Sequence, residues 1–165
     1  MGQENKSRPG WDAYFMAIAQ VVKLRSNCRR RDVAAVVTRD NRIVSTGYNG
    51  TPSGIRNCFE GGCARCAGAA ASGENLGECI CAHAEENAIV QAAHYGVALA
   101  GATLYCTESP CLICAKMIIS AGIREVVYQN DYRFTRQVAA LFREAGIRYR
   151  KFTGTPGSRS SRKRA

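Results

Sequence analysis

"ATLYCTESPCLICAKMIISAGIREVVYQ", Ala102 to Gln129, decides the fold. "ATLYCT" and "REVVYQ" are β-branched and aromatic runs of strand length, and the apolar stretch from "SPCLIC" to the residue before Gly122 has the length of a helix. A strand, a helix and a strand in succession bring the two strands parallel through a right-handed crossover. The alternation continues downstream, where "TRQVAALFREA", stopped by Gly146, reads as a helix and "IRYRKF" as a last strand. Upstream, a helix runs from about Ala84 to Tyr95. Before it, "VAAVVT" (Val33 to Thr38) and "RIVSTG" (Arg42 to Gly47), joined by "RDN", predict a hairpin. Trp11, Tyr14, Phe15, Ile18, Val21 and Val22 recur at helical spacing in "WDAYFMAIAQVVKLR", an amphipathic first helix. The order α-β-β-α-β-α-β-α-β predicts an α/β fold with a mixed five-stranded sheet and helices on both faces.

At 165 residues the chain has room for one domain with a sizeable core. Its boundaries read as a short tail over 1–9, a domain over 10–152 and a basic tail over 153–165. An irregular Cys-rich insertion interrupts the domain at about 50–81. No run approaches the roughly 18 apolar residues of a membrane helix. No apolar stretch follows the charges of "MGQENKSRPGWD", so a reducing, cytoplasmic setting is expected, with the nine cysteines as thiols or metal ligands. The net charge of +10 lies partly in "GSRSSRKRA", where Arg159, Arg162, Lys163 and Arg164 stand among Gly and Ser without an acid. That composition suits a disordered, solvated tail. The remaining basic body fits a negatively charged substrate as well as a nucleic acid.

Chemistry concentrates at two helix starts. In "SPCLICAKMII", Ser109 is placed to cap the helix and Pro110 suits its first turn. Cys111 and Cys114, three apart, lie on one face, and the positive end of the helix dipole favours their thiolates. "HAEENAI" brings His83 to the start of another helix with Glu85 in its first turn. One nitrogen and two sulfurs leave a tetrahedral zinc with an open fourth position, the pattern of a catalytic site. Two thiolates blunt the ion's Lewis acidity, so a carboxylate beside the bound water has a proton to take. The spacing H-x-E…P-C-x-x-C matches the pattern of zinc nucleobase deaminases, in which the glutamate shuttles protons and is not a ligand. In that chemistry an activated water attacks the ring carbon bearing the exocyclic amine. Glu85 carries the proton to the ring nitrogen and then to the departing ammonia. The bland reading, a packed histidine and core cysteines, needs all four groups to meet at two helix starts by chance.

Longer phrases narrow the class. "RSNCRRRDVAAVV", "STGYNGTPSGIRNC", "CAHAEENAI", "PCLICAKMIISAGIREVVY" and "AGIRYRKF" follow one another between Trp11 and Phe152. In this order they resemble the deoxycytidylate (dCMP) deaminase family. The resemblance implies a three-layer α/β/α, cytidine-deaminase-like fold and hydrolysis of dCMP to dUMP for thymidylate synthesis. It further implies homo-oligomers, often hexamers, and frequently dCTP and dTTP as effectors. It carries Asn49 of "GYNG" and the Ala84 backbone to the nucleotide, and allows that Tyr48 to Gly50 meet an effector instead. His83 stands where the related nucleoside deaminases have cysteine, which argues against that branch. Ala34 replaces the glycine of a common Val-Gly-Ala. For the 5′-phosphate, Arg25, Ser26, Tyr132 and Arg133 are the right chemical types near element ends.

Six cysteines remain in or beside the irregular region: Cys28, Cys58, Cys63, Cys66, Cys79 and Cys81. A segment that long without a core needs a clamp, and a second, structural zinc supplies one. Some members of the family hold such an ion near "RSNC" and "RNC", which points to Cys28 and Cys58 with two of the other four. Six thiols exceed the four that one ion takes, so two are spare or two ions bind. Cys106, within an apolar strand, reads as core. His94, eleven residues past His83, lies about 16 Å along the axis and cannot share its ion. Two rivals stay open: a zinc deaminase of tRNA adenosine or a free base, and a non-catalytic zinc module on nucleic acid.

Overall fold

The computed structural model describes residues 7–159. The elements are α1 (Trp11–Val22), β1 (Ala34–Arg39), β2 (Arg42–Tyr48), α2 (Ala64–Ala67), α3 (Ala84–His94), β3 (Thr103–Glu108), α4 (Leu112–Ser120), β4 (Glu125–Asn130), α5 (Thr135–Glu144) and β5 (Arg148–Lys151). The five strands form one sheet in the order β2-β1-β3-β4-β5. β1 is antiparallel to β2 and to β3, whereas β3, β4 and β5 are mutually parallel. The mixed sheet, and the parallel pairing of β3 with β4 across α4 expected from Ala102 to Gln129, are therefore present.

Strand periodicity divides the core into two layers. Val36, Tyr105 and Val127 point one way and pack on Phe15, Met16 and Ala19 of α1. Their neighbours Ala35, Val37, Leu104, Cys106, Val126 and Tyr128 point the other way, against α3, α4 and α5. Alternate residues of a strand face opposite sides, so an apolar run such as "VAAVV" is what a strand covered on both faces requires. The result is a three-layer α/β/α sandwich. Asp40 and Asn41 turn the hairpin with positive φ, the conformation that a two-residue turn between twisted strands demands.

α3 lies unusually close to the sheet. A Cβ on Gly47 would stand 2.1 Å from the Ala84 carbonyl oxygen and 2.5 Å from the Ala88 nitrogen. Only glycine lets the helix settle there, and the Ser45 hydroxyl donates to the Ala88 carbonyl at 2.7 Å to hold it.

Three features depart from the sequence reading. Ser109 does not cap α4. Cys111 occupies the cap position, and the Ser109 hydroxyl, buried, pairs with the Tyr149 hydroxyl at 2.5 Å, a partner that only the crossover brings near. The last turn of the first helix tightens to 3-10 geometry over Lys23–Arg25. Residues 153–159, assigned to a solvated tail, run back along α1: the Gly157 N–H donates to the Ala13 carbonyl at 2.8 Å and Arg159 bridges to Pro9. Arg162, Lys163 and Arg164 lie outside the described residues. Among those described, no helix is long and apolar enough to cross a membrane.

Candidate metal centre and its cleft

α3 and α4 begin side by side at the ends of their preceding segments, and each brings its first residues to one point. His83 is the N-cap of α3 and Cys111 that of α4, with Cys114 one turn further on. The His83 Nδ1 stands 3.3 Å from both the Cys111 and the Cys114 Sγ. All three ligand atoms lie within 4.8 Å of one another, which suits one nitrogen and two sulfurs around a single ion. The three groups polarise one another. Cys111 raises the His83 imidazole to about 9. Cys114 and His83 hold the Cys111 thiol down to about 4, despite its burial. The Cys114 thiol is pushed up in turn by Cys111 and by burial, so the second thiolate forms when a cation takes the proton's place; one imidazole nitrogen and two sulfurs are a donor set that fits zinc. The Glu86 carboxylate accepts from the His83 N–H at 3.1 Å and fixes the helix start.

Glu85 is 4% exposed. Burial raises its carboxyl to about 7, against the pull of His83. A group that exchanges its proton near neutrality is the one a general acid–base step needs.

A cleft of about 320 Å³ opens onto this centre. Of the residues anticipated for substrate, Asn49, Ala84 and Tyr132 line it. The Asn49 side chain is mostly committed: its Oδ1 accepts from the Ser26 hydroxyl and the Val33 N–H, both at 2.8 Å, and its Nδ2 donates to the Arg31 carbonyl at 2.7 Å. Ser26 thus stands behind Asn49 and does not line the cleft. Neither does Arg25, whose side chain is exposed at the end of the 3-10 turn. Arg133 is also outside the lining, its guanidinium bound to the Ser72 carbonyl at 3.3 Å and the Glu74 carboxylate at 3.5 Å. Arg31 and Ser72 line the cleft in their place. Arg31 pairs with Glu108 at 3.1 Å and sits 5.4 Å from the centre of the Tyr132 ring. Its place in "RSNCRRRD" marked it as basic and no more, because Glu108 and Tyr132 reach it only through the sheet.

The insertion is tied at its neck and filled with sulfur. Gly50 and Ala82 exchange two backbone hydrogen bonds of 3.2 and 2.9 Å. Within it the buried cluster consists of Cys58, Cys63, Cys66 and Cys81, with half-buried Cys28 and Cys79 packed on it. Two sets of four thiols lie within metal-binding reach: Cys28, Cys58, Cys66 and Cys81, and Cys63, Cys66, Cys79 and Cys81. Cys28 and Cys79, each hydrogen-bonded by Cys81, are drawn down to about 5. Arg30 threads the loop, donating to the Cys66 carbonyl at 3.0 Å and to the Gly68 and Ala70 carbonyls. Cys106 is fully buried in the core, and His94 is exposed with its ring edge-on to Tyr95.

Residues 9–130 match the family model of the cytidine and deoxycytidylate deaminase zinc-binding region. The chain is 47% identical over 148 residues to the deoxycytidylate deaminase of Schizosaccharomyces pombe, covering 90% of this chain and 46% of that protein. It thus spans about half the length of the yeast relatives it matches. The deoxycytidylate deaminase of Mycobacterium phage D29 is 41% identical over 130 residues, 98% of its own length and 76% of this chain. Among solved structures, the dCMP deaminase of cyanophage S-TIM5 in complex with dCMP and dUMP superposes with a TM-score of 0.68 at 34% identity, over 84% of this chain and 93% of that one.

Proposed function

The chain belongs to the cytidine and deoxycytidylate deaminase family, and from that premise we propose that it hydrolyses dCMP to dUMP and ammonia, supplying dUMP for thymidylate synthesis. The observation that carries this reading is the convergence of His83, Cys111 and Cys114 on one point, beside a buried Glu85 at the floor of one cleft. His83, Cys111 and Cys114 would hold a zinc ion, which would supply Lewis acidity and lower the pKa of the attacking water. Glu85 takes one proton of the attacking water and passes it to the ring nitrogen beside the reacting carbon; it then takes the remaining proton of the new hydroxyl and gives it to the amine, which leaves as ammonia as the C–N bond breaks and the carbonyl forms. Atoms balance: water and dCMP give dUMP and ammonia. The Ala84 backbone and Asn49 bound the pyrimidine. Tyr132, together with Arg31 and Ser72, faces the phosphate end. Ammonia release from dCMP, compared with release from adenosine-containing RNA, tests the reading. Turnover of dCMP by the zinc-loaded enzyme is expected, and a preference for RNA adenosine overturns it.

The same proposal includes a cytoplasmic homo-oligomer, a hexamer in preference to smaller forms, responsive to dCTP and dTTP. A hollow of about 520 Å³ beside Tyr48 and Gly50, edged by Val90, His94 and Tyr95, supports an effector contact there. Val90 and Tyr95 are 54% and 72% exposed, apolar area suited to a neighbouring copy. The cysteine-lined insertion is proposed to carry structural zinc.

A further inference from the structure

We propose that the insertion holds two zinc ions in one thiolate cluster, with Cys66 and Cys81 bridging them. Each four-thiol group satisfies one tetrahedral ion, but the two groups draw on only six cysteines and share two, Cys66 and Cys81. Two ions with four bonds each and six sulfurs require two shared sulfurs, and the fold provides that number at the overlap. Cys28 and Cys58 are then terminal ligands of one ion, Cys63 and Cys79 of the other.

Distances agree with this arrangement. At about 2.3 Å from zinc, tetrahedral sulfurs stand roughly 3.8 Å apart. The Cys28–Cys66, Cys63–Cys79 and Cys66–Cys79 Sγ pairs are 3.9, 3.8 and 3.6 Å apart. Cys66 thus touches terminal members of both groups, as a bridging thiolate must. The surroundings call for such a cluster as well. Of the insertion's four large apolar side chains, Ile55, Phe59 and Ile80 are 51%, 58% and 46% exposed and Leu76 is half-buried on the cleft, so no hydrophobic core orders it. Six thiolates on two divalent ions keep two net negative charges. Arg30 beside Cys66 and the Arg29 N–H at 3.5 Å from the Cys58 Sγ face that charge. A single ion leaves two of these six packed thiols unligated.

The inference stands whatever base the catalytic centre deaminates, and its test is independent of turnover. Metal analysis of the zinc-loaded protein is expected to give three ions per chain, and two in the C111S/C114S double variant. In cadmium-loaded protein, NMR is expected to show two cluster resonances split by coupling through the shared thiolates. Two zinc ions per chain, falling to one in the double variant, overturn the proposal. So does full loading with cadmium resonances that show no mutual splitting.

Discussion

Glu85 is buried yet borders the cleft, and its chemistry follows from that. Removing the charge while keeping the shape isolates it: Glu85→Gln is expected to retain the catalytic zinc and the fold and to lose turnover by about 10²–10⁴-fold. Metal analysis and single-turnover kinetics on dCMP check it, and near wild-type rates remove Glu85 from its role. Asn49 gives a different signature. Its three hydrogen bonds shape the segment from Ser26 to Val33, so Asn49→Ala leaves half-buried partners unpaired at a cost of about 1 kcal/mol. A lowered urea midpoint together with a raised KM is expected; an unchanged midpoint contradicts the positioning role. His83 and Glu85 were legible in the sequence because one helix start carries both, and Cys111 and Cys114 because another does. Arg31 was not, since its partner Glu108 is 77 positions away in the chain and its neighbours are set by tertiary packing.

At the scale of the element, the approach of α3 to β2 sets the position of the centre. Gly47→Ala forces a methyl into the Ala84 carbonyl, and overpacking of this kind costs about 1–3 kcal/mol or displaces the helix. Because His83 and Glu85 ride on that helix, turnover and zinc affinity are expected to fall along with the melting temperature; a variant of full stability and activity refutes the steric argument. α1 is fixed to the opposite face by charge. Arg150 of β5 donates twice to Asp12, at 2.6 and 2.9 Å, and the Tyr105 hydroxyl donates to it at 3.0 Å. Arg150 holds the Asp12 carboxyl below its ordinary 3.8. The stability this provides is fully present above pH 3.8 and is lost as pH falls through the depressed value. The Asp12 side chain is 36% exposed, so solvent screening limits the contribution to about 1 kcal/mol. Asp12→Asn is expected to melt earlier at neutral pH, with the gap from wild type closing in acid. The strands and helices themselves were readable from period and turn chemistry. The Ser109 cap was misread because an N-cap residue and a buried hydroxyl with a distant partner look alike in one dimension.

Across the whole molecule, two devices hold different parts together. The sandwich follows from binary pattern, and its order was visible along the chain. The insertion has no such pattern. Its thiols were visible as ligands, but their grouping into two overlapping sets depends on a path that no periodicity encodes. The basic charge likewise gained meaning only in three dimensions, where Arg30 threads the insertion and Arg31 faces the cleft. Ser72 and Gly73, at the far end of the insertion, line the cleft above the catalytic centre, and a Cβ on Gly73 would stand 2.8 Å from Arg133 and 3.3 Å from the Tyr132 hydroxyl. The insertion therefore forms a wall of the cleft, and the zinc proposed for it would shape that wall as well. Metal binding in such segments is folding free energy. Withdrawing it with a strong thiol-competitive chelator is expected to expose 50–81 to protease while the five-stranded sheet keeps its circular dichroism. Turnover should stop and should return, with its original KM, only after zinc is restored to the His83–Cys111–Cys114 centre and to the insertion's thiols. Cleavage resistance in the metal-stripped protein would show that hydrogen bonds such as those of Gly50 and Arg30 suffice to order the insertion, and the clamp would then have no mechanical role.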